Sequence, residues 1–152
     1  MIGIGTPLVG IDTNVILRAV LDDDPVQSPE AKRLFRDLTS ETPGFITQVS
    51  LVETYWVLAR SIRMPRAACL TVIRALVETE VLEFDDGESV VRALTLAEDG
   101  ADFANALIEG TMELFGVTET VTFDRSAADR LGWRMLGGRM PAQTSGEPQS
   151  ST

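Results

Sequence analysis

The chain alternates short, mostly apolar runs with longer amphipathic ones, and that alternation restricts what it can fold into. "LVGID" (residues 8–12), "PGFIT" (43–47), "VLEF" (81–84), "ETVTFD" (119–124) and "WRML" (133–136) read as short strands. Helical stretches lie between them, over residues 14–21, 48–62, 65–79, 88–98, 101–115 and 126–131. A further helix, "SPEAKRLFRDL", is expected to open with Ser28 as cap and Pro29 at its first position. Thr13 is the expected N-cap of the first helix, and Gly116 the stop after residue 115. Short apolar strands separated by helices predict an α/β fold, with a central parallel sheet of about four to five short strands flanked by helices.

A chain of 152 residues is long enough for one well-buried core. The expected domain covers residues 1–140. Residues 141–152, "PAQTSGEPQSST" with its preceding context, contain no large apolar side chain and predict a disordered tail. No apolar run reaches membrane-spanning length, no basic leader precedes the first strand, and Cys69 is the lone cysteine. The expectation is a cytoplasmic protein without a membrane partner.

Absent residues narrow the chemistry. The sequence has no histidine, one lysine (Lys32) and one cysteine. Histidine acid–base catalysis, Ser–His and Cys–His triads, and histidine zinc sites are therefore excluded. No G-x-x-x-x-G-K-[ST] phosphate loop is present. Hydrolytic chemistry in such a chain falls to carboxylates holding a hard cation such as Mg²⁺ or Mn²⁺.

Asp12 and Asp124 each end an expected strand, where open α/β sheets place their ligand crevice. Thr122, two residues before Asp124, shares its face of the strand. Glu53 lies in "QVSLVETYWVLA", a segment so apolar that burial is expected; a buried carboxylate needs a partner, either an arginine from elsewhere or a metal. Asp102 opens a helix, where capping is the ordinary role, and Asn105 follows one turn later on the same face. The acids of "DDDP" (residues 22–25) read as a solvated loop. The formal net charge of −10 opposes nucleic-acid binding, yet residues 54–77 contain no acid and carry Arg60, Arg63, Arg66 and Arg74. That stretch is either a solvated face or a phosphate-contacting one.

The order Asp12 in "IDTN", Glu53 in "SLVE", Asp102 in "ADFANALI" and Asp124 in "TFD" resembles the PIN-domain ribonucleases. Within them it is most similar to the VapC-type toxins of type II toxin–antitoxin pairs. The resemblance implies a PIN-like domain over residues 1–140 and a catalytic, metal-binding quartet of Asp12, Glu53, Asp102 and Asp124 on Mg²⁺ or Mn²⁺. Thr13, Asn14, Asn105 and Thr122 would support it. Asn105 departs from the "DFADALI" pattern of many relatives, replacing an acid. The implied reaction is hydrolysis of RNA phosphodiester bonds by metal-activated water, with Arg60, Arg63 and Arg66 as RNA contacts. The implied partners are an RNA substrate, a small cognate antitoxin and a second copy in a homodimer; apolar surplus on residues 48–62 and 65–79 is compatible with interfaces.

A catalytically weak PIN-like RNA- or protein-binding module is the alternative. Two other doubly wound classes fit less well. A receiver domain wants paired acids after its first strand and a late lysine, whereas Lys32 is early. A D-x-D phosphatase needs an acid where "DTN" has Asn14.

Overall fold

The structure is a computed structural model and describes residues 7–137. The tail expected over residues 141–152 lies outside the described residues. Five short strands and seven α-helices alternate along the chain as expected, and every strand pair is parallel. Strand β1 (Val9–Gly10) leads into helices α1 (Thr13–Leu21) and α2 (Gln27–Asp37) before β2 (Gly44–Ile46). From β2 the chain passes through α3 (Gln48–Trp56), a π-helical turn (Val57–Ser61) and α4 (Arg66–Val77) to β3 (Leu82–Phe84). Helices α5 (Gly87–Glu98) and α6 (Phe103–Leu114) then precede β4 (Val121–Thr122), α7 (Arg125–Leu131) and β5 (Arg134–Met135).

The sheet is divided. Strands β1-β2-β3 make one ladder, and β4-β5 make a second. In the first, the amides of Val9 and Ile11 donate to Pro43 and Phe45, and that of Gly44 donates to Val81. Gly44 is required there: a Cβ on it would lie 2.7–2.9 Å from side-chain atoms of Ile11, Leu82 and Leu38. In the second ladder, the amides of Arg134 and Leu136 donate to Thr120 and Thr122. That unit packs on itself and leans on α6 through α7, and Phe123 is left 78% exposed.

The core sits between the first ladder and the helices. Ile16, Ile46, Leu51, Leu58, Ile73, Val90, Leu94 and Phe103 are fully enclosed. Each such aliphatic side chain contributes about 1.5–3 kcal/mol by leaving water. Helix α4 buries Cys69, Leu70, Ile73 and Leu76, a stripe at helical spacing that turns the opposite face to solvent. Tyr55 of α3 meets Phe103 of α6 edge-on, with ring centroids 5.6 Å apart at 77°, and so locks the two helices together. Burial raises the Tyr55 phenol and the Cys69 thiol above their ordinary pKa values. A thiol so placed is inert core.

Local details correct several expectations. Asp12, not Thr13, occupies the N-cap position of α1, and Thr13 is the first helical residue. Helix α2 begins at Gln27, one residue before Ser28. Asp24 accepts from the amides of Val26 and Gln27, while the buried Ser28 hydroxyl accepts from the Asp24 amide. Those backbone amides lower the Asp24 pKa. Its neighbours are engaged as well: Asp22 pairs with Lys32 and Asp23 with Arg18, so the acidic run is a structural loop. The helix expected over residues 48–62 is α-helical only to Trp56.

Candidate functional site

The first two strands and the helices that follow them build one hollow. Two residues after strand β1, Asp12 has an extended backbone (φ −78°, ψ 157°) that turns the chain into α1. Strand β2 runs into α3, whose first turn is capped by the Thr47 hydroxyl on the Ser50 amide. Parallel neighbours thus bring the starts of α1 and α3 together at their carboxyl ends. There the nearly buried Thr13 hydroxyl donates to Glu53 Oε2 at 2.7 Å. Asp12, Thr13, Asn14, Glu53 and Trp56 line a hollow of about 650 Å³.

Asp12 stands at a capping position, yet its carboxylate makes no capping hydrogen bond. Asp12 is exposed and lines the hollow. Glu53 is exposed rather than buried, which corrects the expectation drawn from its apolar segment. The reason is that α3 turns only Leu51, Thr54 and Tyr55 into the core; Val49 and Trp56 stay on the surface beside Glu53. Its partner is a hydroxyl, not an arginine. On the other side, Glu53 borders an apolar hollow of about 490 Å³ between α3 and α6, walled by Val49, Val52, Leu107, Ile108 and Met112.

Asp102 and Asp124 share a different place. Asp102 caps α6, its Oδ1 accepting from the Asn105 amide at 2.9 Å. Asp124 caps α7, its Oδ1 accepting from Ser126 at 2.8 Å and Ala127 at 3.2 Å. Its own amide donates to Thr122 Oγ1 at 2.9 Å, so that hydroxyl fixes the backbone under the acid. With Asn105 and Arg130 they line a narrow cleft of about 20 Å³. Arg130 seats the cleft on the α5–α6 corner: its guanidinium donates to the Asp99 carbonyl and lies against Gly100, whose φ of +118° suits glycine.

The acids are therefore brought together two and two. Among the described residues, no group of three or more Asp, Glu or Cys is placed to hold one metal ion. Asp124 follows β4 as the cap of α7, whereas Asp12 follows β1 at the N-cap position of α1, and these strands are not paired.

The donors of the first hollow are all oxygen: the Asp12 carboxylate, the unengaged Glu53 Oε1 and the Asn14 side chain. Such a set fits Mg²⁺ or Mn²⁺, and Mg²⁺ commonly takes only one or two protein carboxylates, completing its shell with water and substrate phosphate.

The arginines divide as well. Arg66 is exposed, and its Nη2 donates to the carbonyls of Ala97 and Ala101, the latter at 2.7 Å, which ties α4 to the α5–α6 corner. Arg74 is held by Glu98 and Glu78, which keeps the Glu98 carboxyl below its ordinary pKa. Arg60 and Arg63 remain exposed. Arg60 lies over the Trp56 ring, its Cζ 4.0 Å from the centroid. Trp56 is a lining residue that the sequence argument treated as apolar filling. Its place three residues after Glu53 was the available signal, since that spacing puts both on one helix face.

No curated protein matches the chain in sequence. The family model described as PIN domain aligns with residues 9–132, from β1 through α7 and across both pairs of acids, and the chain belongs to the PIN domain family.

Proposed function

We propose that the chain is a Mg²⁺- or Mn²⁺-dependent endoribonuclease serving as the toxin of a type II toxin–antitoxin pair. Membership of the PIN domain family supports nuclease-type activity in general, since these domains are typically metal-dependent nucleases. The observation that carries the finer reading is the uncapped carboxylate of Asp12 beside Glu53 in one open hollow. A carboxylate at a helix start that makes no capping bond is available to something else.

Asp12 and Glu53 would hold the cation, with Asn14 beside them. A bound divalent ion supplies a lowered water pKa and charge stabilisation at the phosphodiester. Thr13 holds Glu53 Oε2, which leaves Oε1 as the oxygen that would face the cation. Asp102 and Asp124 each retain Oδ2 beyond their caps and form the second acidic pair. Arg60 and Arg63 are the cations left to meet phosphates. The cognate antitoxin and a homodimer belong to the same reading, and the apolar hollow between α3 and α6 offers surface for either.

Asn105, which stands where many relatives carry an acid, favours the second reading, a catalytically weak RNA- or protein-binding module. Cleavage of a structured RNA with Mg²⁺, Mn²⁺ or EDTA separates the two. The nuclease reading expects metal-dependent cleavage that Asp12→Asn abolishes. Cleavage unaltered in that variant overturns the assignment; binding without cleavage in either metal supports the weak module.

A further inference from the structure

The widest exposed aromatic surface at the acidic hollow is not explained by packing, and it is not bare. Trp56 is 46% exposed although it ends a helix whose other large aromatic, Tyr55, is buried. Its ring forms part of the wall that holds Asp12 and Glu53. The chain directly after it widens into the π-helical turn Val57–Ser61, closed by the Ile62 amide on the Val57 carbonyl at 3.0 Å. Single π turns of this kind recur at functional sites. Within that turn Arg60 lies over the indole, and among the described residues no carboxylate pairs with it.

From these facts, and resting on the ribonuclease reading, we infer that Trp56 and Arg60 form a base-stacking platform that seats an unpaired nucleobase of the RNA beside the acidic hollow. The geometry has the two parts such platforms need: a π-face for the base and a cation for the adjoining phosphate. Charge makes the position specific. In a chain of net charge −10, Arg66 and Arg74 are occupied by carbonyls and carboxylates, so Arg60 and its neighbour Arg63 are the cations of that stretch open to a phosphate. Arg60 sits over one face of the ring with its guanidinium as the outer layer of the stack, and the indole, 46% exposed, lines the hollow. Stacking needs a base free of its pairing partner, so the platform selects single-stranded segments and loops. It acts as a positioning element, setting which phosphodiester lies over Asp12 and Glu53.

The sequence contains just two tryptophans, Trp56 and Trp133, which gives a direct readout. The full chain carrying Trp133→Phe is titrated in EDTA, so that nothing is cleaved, with a short unstructured oligoribonucleotide, its duplex, and an abasic oligomer of equal length. The platform predicts saturable quenching of Trp56 by the single strand and little by the duplex or abasic oligomer. Trp56→Ala weakens binding by roughly tenfold and Trp56→Phe by much less, the pattern for losing one base–aromatic stack. Arg60→Ala lowers affinity and reduces the salt slope by about one. Circular dichroism of each variant verifies folding. Equal affinity in Trp56→Ala, absence of binding, or a Trp56 emission that changes with protein concentration alone, marking an interface between copies, overturns the platform. The parent reading is judged separately: quenching without any metal-dependent cleavage overturns the nuclease and leaves the platform, while cleavage without quenching does the reverse.

Discussion

Replacing Thr13 by valine removes one hydroxyl and keeps nearly the same volume, so it isolates the bond between Thr13 Oγ1 and Glu53 Oε2. A hydrogen bond to a charged acceptor contributes about 1.5–3 kcal/mol where both groups leave water. Here only Thr13 is buried, and water can replace the lost donor on Glu53. The added valine methyl also gains some burial. The expected loss is therefore at the lower end, about 1 kcal/mol, which lowers the Tm of a domain of this size by about 2–4 °C. Function should suffer more than stability. Without the bond Glu53 samples several rotamers, and loss of positioning lowers metal-dependent cleavage by roughly tenfold or more. Thermal unfolding and cleavage are measured for the wild type, Thr13→Val, Thr13→Ser, Glu53→Ala and the Thr13→Val/Glu53→Ala double variant. Serine should restore both properties, and the cycle should return a coupling energy of about 1 kcal/mol. Zero coupling, or wild-type cleavage in Thr13→Val, would refute the view that α1 positions the acid of α3.

Gly44→Ala forces a methyl against Ile11, Leu82 and Leu38 at the centre of the first ladder; a loss of about 1–3 kcal/mol in urea unfolding is expected. The Arg74–Glu98 pair should show its own pH signature. Because Arg74 lowers the folded-state pKa of Glu98, its stabilisation is fully present above the ordinary glutamate pKa of about 4.3 and is lost as pH falls through the lowered value. The Tm gap between wild type and Glu98→Gln should thus be open at neutral pH and close in strong acid; a gap independent of pH would show that the pair is not what Glu98 contributes.

Much of the fold was legible because it depends on local pattern. Strand, turn and helix follow one another where apolar runs give way to helical periodicity, and Asp12 and Asp124 could be placed at strand ends on that basis. What the pattern could not say was which strands pair. The expected strand over residues 119–124 shrinks to Val121–Thr122 because pairing partners, not apolar character, decide how much of a run becomes ladder. For the same reason the division of the sheet was invisible. Glu53 was misjudged because an all-round apolar helix does not announce which face meets the core; Val49 and Trp56 stayed outside. The Arg66 contacts could not be foreseen because its acceptors are backbone carbonyls, which every residue carries and no sequence marks.

The divided sheet also bears on how firmly the acids are held. Asp12 and Glu53 stand on helices α1 and α3 that pack on the main core, while Asp124 follows a two-stranded ladder beside which Val121 and Phe123 meet solvent. Amides guarded by so little buried surface exchange through local opening, at a lower free energy than the global transition. The molecule thus has two stabilities. Asp124 would lose its seat when residues 121–135 open, whereas Asp12, Glu53 and Asp102, the last capping a helix that buries Phe103, stay with the core, so heat or denaturant would remove one acid before the fold itself gives way.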